Sequence, residues 1–93
     1  MILARIFTKI YKEGGIILVD AKGQKYICGN PKTEKPIIVK LLKDDLNWKL
    51  LLDPELEFPE AYMRNEIEIE NAAMKDFLME LIKNLGRKEI STT

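Results

Sequence analysis

The chain predicts an α+β domain: a small, mainly antiparallel sheet with helices packed on one face. Three observations lead there. Apolar residues recur at helical spacing near both ends. Between them lie short runs rich in β-branched residues, separated by Asp, Gly and Pro breaks. And 93 residues make one domain, which buries roughly 60–65% of the surface its unfolded chain exposes. That suffices for one modest core. The expected domain is 1–86, with 87–93 a polar tail or the start of a linker.

Ile2, Leu3, Ile6, Phe7, Ile10 and Tyr11 predict the first helix, with Ile6, Phe7 and Ile10 docked on the sheet. Arg5, Lys9 and Lys12 fall on its opposite face, at i, i+4 and i+7. Gly14 or Gly15 ends it, because glycine takes the left-handed cap without a Cβ clash. Ile16–Val19 and Lys25–Cys28 flank Asp20-Ala21-Lys22-Gly23 and read as a hairpin. Gly29-Asn30-Pro31 breaks the second strand. After Pro36, Ile37–Leu42 reads as a third.

Asp44 or Asp45 is placed to cap a short helix over Leu46–Leu52, with Trp48 in the core. Pro54 stops it, and residues 53–59 read as a loop holding two prolines. Glu66–Glu70 alternates strictly, with Ile67 and Ile69 on one face. Asn71 then caps a last helix. Its stripe is Ala73, Met74, Phe77, Leu78, Leu81, Ile82 and Leu85, and Gly86 closes it.

Composition narrows the chemistry. The chain has no histidine and one cysteine, which removes the commonest general base and the usual zinc ligand sets. The sequence contains neither a P-loop nor a G-x-G-x-x-G nor a G-x-S-x-G. Cys28 reads as a buried, inert thiol. No run approaches the roughly 20 apolar residues that span a bilayer, and the reading is a cytoplasmic protein. Net charge is zero but unevenly spread. Residues 1–52 hold ten basic and five acidic side chains, whereas 53–70 hold seven acidic against Arg64 alone. Basic residues are scattered singly, without aromatic interleaving, so nucleic acid is not an expected partner.

The segment EAYMRNEIEIEN, Glu60 to Asn71, concentrates the carboxylates. Alternate strand positions lie about 6.6–7 Å apart, which is within the span of glycosidase carboxyl pairs. Glu66, Glu68 and Glu70 would nevertheless line one flat face, and flat faces are solvated. No residue is expected to be catalytic. Tyr62 and Met63 are expected to anchor a turn on the core.

The order GGIILVDAKGQKYICG, then PIIVKLL, then LLLDPELEFPEAYMRNEIEIENAAMKDFLMELIKNL resembles the N-terminal domain of the cyclopropane-fatty-acyl-phospholipid synthases. Pro54, Leu56, Glu60, Ala61, Tyr62, Met63, Ile69, Glu70, Phe77, Leu78, Asn84 and Leu85 match its pattern. Glu60-Ala61-Tyr62-Met63 is the specific part. Two departures stand out. The family's glycine before the glutamate is Pro59 here, and its Asp-Gly after the methionine is Arg64-Asn65. Proline cannot take positive φ, so the approach to the motif must differ. Asn65 can take it, so the exit turn can survive.

The resemblance implies a sterol-carrier-like fold and a non-catalytic accessory role. The chemistry would belong to an S-adenosylmethionine-dependent methyltransferase domain, in cis or in trans, that adds a methylene across an acyl double bond. No cofactor is expected in this chain; S-adenosylmethionine belongs to that other domain. The expected membrane contacts are Arg5, Lys9 and Lys12, at the inner face of a phospholipid membrane, while the acidic stretch 53–70 faces protein. The alternative is a protein-interaction or dimerisation module without lipid binding, using the stripe of the last helix. A homodimer is compatible with either.

Overall fold

The computed structural model describes residues 2–44 and 46–85, without the side chains of residues 46–48. The expected cap at Asp45, the core placement of Trp48, the stop at Gly86 and the tail 87–93 lie outside the described residues. The elements run α1 (Ile2–Ile10), β1 (Gly15–Val19), β2 (Lys25–Gly29), β3 (Ile37–Leu41), α2 (Leu46–Leu52), α3 (Pro54–Met63), β4 (Ile67–Glu70) and α4 (Met74–Leu85). The class is α+β, with one four-stranded sheet in the order β2-β1-β3-β4.

The β1–β2 hairpin is held by its turn. Asp20 Oδ1 accepts from the backbone N–H of Lys22 (3.0 Å) and Gln24 (2.9 Å). The Tyr26 hydroxyl donates to Asp20 Oδ2 at 3.1 Å. Gly23 supplies the positive φ, +87°, which the turn requires. The strands pair antiparallel from Val19–Lys25 to Gly15–Gly29.

β3 departs from simple hairpin order. It pairs with β1 in parallel, Ile16 beside Ile37 through Val19 beside Lys40, while β3 and β4 pair antiparallel. Residues 30–36 therefore pass beneath β1 to reach its far side. Gly15 makes the passage feasible. A Cβ there would lie 2.4 Å from the Cys28 carbonyl oxygen, 2.6 Å from the Asn30 nitrogen and 2.8 Å from Pro31 Cδ, all closer than packed atoms approach.

Strand register sorts side chains between faces. Ile16, Leu18, Cys28, Val39, Leu41 and Ile67 fall on one face and join a single core with Leu3, Phe7, Leu50, Phe58, Ala61, Phe77 and Leu81. The helices lie on this face. At its centre Phe58 meets Phe77 edge-on at 5.0 Å and Phe7 at 5.9 Å.

Several expectations are corrected. Residues 53–59 are not a loop: Pro54 opens α3 and Pro59 sits inside it. Proline suits the first helical position, whose N–H has no intrahelical partner. Pro59 forfeits one helical hydrogen bond, against which Phe58 and Ala61 are fully buried on either side. Asn71 does not cap α4. It takes φ +71° and its amide donates to the Pro36 carbonyl at 2.7 Å. Asp76 reaches back to the Ala73 N–H at 3.4 Å instead. On α1, Leu3, Ala4 and Phe7 make the dock, whereas Ile6 is exposed.

Candidate docking surfaces

The Glu60–Met63 motif forms the last turn of α3. Its end is a Schellman closure: Glu66 N–H donates to the Ala61 carbonyl (2.9 Å) and Asn65 N–H to that of Tyr62 (3.1 Å). This closure needs a left-handed residue between them, and Asn65 provides it at φ +61°. Asn65 thus takes the left-handed conformation that the sequence allows it. The anchoring expectation fails. Tyr62 is 44% exposed and Met63 80% exposed, while Ala61 is fully buried. Tyr62 and Met63 follow Ala61 around the helix, so the rotation that buries Ala61 turns them outward.

Two of the three glutamates after the motif, Glu66 and Glu70, are paired locally. Glu66 receives Arg64 at 3.0 Å and Lys43 at 3.4 Å. The Arg64 hydrogen bond, with help from Lys43, holds the Glu66 carboxyl below its ordinary range. Glu70 pairs with Lys40. Glu60 stands 3.8 Å from Arg64, one helical turn away. Glu68 is exposed. These groups are spread over a surface and do not converge on a cavity. Among the described residues no cluster of three or more His, Cys, Asp or Glu is placed to hold a metal ion. Cys28 is fully buried, and burial pushes its thiol up, out of the reactive range.

Around α1, residues advance about 100° per step. Leu3, Ala4 and Phe7 occupy the inward arc, and Ile2, Arg5, Ile6 and Lys9 share the outward one, all four exposed. Lys12 lies just beyond the helix, also exposed. With Lys32, Gly14, Gly29 and Asn30 it lines a cleft of about 300 Å³. Asn84 secures this end of the molecule. Its side-chain oxygen accepts from the N–H groups of Lys12 (2.8 Å) and Glu13 (3.0 Å), so α4 clasps the α1–β1 connection. Behind the cleft, the Tyr11 hydroxyl and Glu80 Oε1 are both buried beside one another, and neither has a partner of good hydrogen-bond geometry among the described residues. Burial, then the adjacent Glu80 carboxylate, pushes the phenol up. Burial likewise raises Glu80.

Most of the α4 stripe is taken up by the core. Phe77 and Leu81 are fully buried, and Met74, Leu78 and Leu85 pack against the core. Met79 alone of its large apolar residues is widely exposed. The other sheet face is a different matter. Ile17, Val19, Ile27 and Ile38 lie there by register; Val19 is buried, whereas Ile17 and Ile38 are half-buried and Ile27 is exposed. Sequence reasoning missed this surface. Ile16 to Val19 and Ile37 to Val39 were visible as continuous apolar runs, which strands adopt when both faces are covered.

Fold and surface together define a small α+β domain whose described helices lie on one face of the sheet. No known protein family matches the chain, and neither a curated protein nor a solved structure does. No described helix is long and apolar enough to cross a membrane.

Proposed function

We propose that this chain is a non-catalytic accessory domain that engages a phospholipid membrane through α1 and works with a methyltransferase domain of the cyclopropane-fatty-acyl-phospholipid synthase kind. The observation that carries the membrane half is the outward arc of α1, where Ile2 and Ile6 alternate with Arg5 and Lys9. An interfacial helix seats its apolar side chains at the headgroup boundary while cations meet anionic lipid. Lys12, with Lys32 across the cleft, extends the basic surface. The methyltransferase half rests on the sequence resemblance around Glu60–Met63. Exposure of Tyr62 and Met63 supports it, because an apolar pair on a helix end suits contact with another domain.

Each cation near an anionic leaflet contributes about 1 kcal/mol. Reversing Arg5, Lys9 and Lys12 to glutamate should therefore weaken partitioning onto anionic vesicles by at least roughly 100-fold. Vesicle co-sedimentation reads this directly, and the three exposed sites leave the fold intact. Pelleting that is unchanged by the reversal removes the α1 reading. A wild-type chain that never pellets favours an interaction module without lipid binding.

A further inference from the structure

We infer that the cleft at the end of α1 binds a phosphate group, with Lys12 and Lys32 as its cationic contacts. For one source of that group, a phospholipid headgroup, the inference rests on the membrane reading of α1. A soluble phosphate ester presents the same chemistry.

Segments distant in sequence build the cleft. The α1–β1 connection supplies Lys12, Glu13 and Gly14, and the chain leaving β2 supplies Asn30 and Lys32. The fold holds both walls in place. Asn84 fixes the first through the N–H groups of Lys12 (2.8 Å) and Glu13 (3.0 Å). The Asn30 N–H donates to the Gly14 carbonyl at 2.9 Å and ties the second wall to the first. A ligand therefore meets backbone that is already ordered, which lowers the entropic cost of binding. The volume is about 300 Å³. Small-molecule sites span about 300–1,000 Å³, so this one suits a phosphate with the first atoms of its ester.

Charge points to an anion. Lys12 and Lys32 are exposed, and neither forms an ion pair among the described residues. The exposed Asn30 side chain adds a neutral donor beside them. Two carboxylates stand near. Glu13 meets Lys83 of α4 at 3.4 Å, so it compensates neither cleft lysine. Glu80 lies behind Gly14, where burial favours its neutral form. An ammonium binds phosphate as a point charge, and a phosphate presents oxygens in several directions, so lysines on two walls reach it together. The site also continues α1. Lys12 follows Arg5 and Lys9 at i, i+4 and i+7, so a helix lying at the headgroup boundary carries the cleft to the level of the lipid phosphates.

Titration of the full chain with glycerol phosphate, read by amide nuclear magnetic resonance, tests the site without a membrane. The amides of residues 12–14, 30 and 32 should shift together and saturate. Lys32→Glu should weaken that binding by about fivefold or more. Lys32 lies outside α1 and is exposed, and circular dichroism checks that the variant is folded. Co-sedimentation with phosphatidylglycerol vesicles then separates the sources. A headgroup site loses vesicle binding in Lys32→Glu as well. A site for a soluble ester keeps it, or binds glycerol phosphate in a chain that never pellets, which removes the membrane reading and leaves the cleft. Two results overturn the inference: shifts that never saturate or that scatter over lysines elsewhere, and binding that Lys32→Glu leaves unchanged.

Discussion

The two faces of this sheet are built from the same strands and differ in almost everything else. On one face, Ile16, Leu18, Val39 and Leu41 are at most 1% exposed beneath four helices. On the other, Ile17, Ile27 and Ile38 keep solvent contact, and Lys25, Lys40, Glu68 and Glu70 surround them. Burial gives the first face its stability, since each large side chain withdrawn from water contributes about 1.5–3 kcal/mol. The second face adds less to the monomer, because its isoleucines keep part of their contact with water. The difference separates what holds the fold from what the fold displays.

The largest test of that contrast is Phe58→Ala. Phe58 bridges Phe7 and Phe77, and its truncation should cost about 3–5 kcal/mol in denaturant unfolding. Ile27→Ala on the open face should change the dilute chain's stability by about 0.5 kcal/mol or less. Equal losses would erase the distinction. Next comes Gly15→Ala, expected to cost about 1–3 kcal/mol by forcing the 30–31 crossing away from β1. A neutral result would mean that the crossing is loosely held.

Acid and base sharpen the comparison at smaller scale. Glu66 is held below its ordinary 4.5 by Arg64 and Lys43. Its contribution is present above that value and disappears as pH falls through the lowered one. Glu66→Gln should therefore lower the melting midpoint at neutral pH and converge with wild type in strong acid. Glu80 is raised by burial, so the sign reverses: its contribution is full below 4.5 and lost as pH rises through the raised value. Glu80→Gln should raise the midpoint at neutral pH, with the gain vanishing below the ordinary carboxylate range. Paired melts across pH check both slopes.

Sequence legibility followed the range of the forces involved. The β1–β2 hairpin was readable because Asp20 and Gly23 make its turn within five residues. The short helix Leu46–Leu52 was readable from its apolar run and the proline beyond it. α3 was misread because Pro54 and Pro59 are local breakers, whereas Phe58 and Ala61 are buried by residues far away in sequence. The motif residues Tyr62 and Met63 were legible as a cluster but not in orientation. That depended on which side of α3 met the core. The outward arc of α1 mixes Arg5 and Lys9 with Ile2 and Ile6, a combination hidden until Leu3 and Phe7 took the inward positions.

By itself the chain of residues determined the local units: a turn closed by a carboxylate and a glycine, a left-handed exit at Asn65, helices with one strongly apolar side, and no histidine with which to do acid–base work. Those follow from backbone sterics and from contacts a few residues long. Only the tertiary structure decided that β3 lies parallel to β1, that a proline-bearing segment is helical, and that the described helices all lie on one sheet face. Each of these depends on burial between distant residues, whose free energy exists only once the whole core has closed.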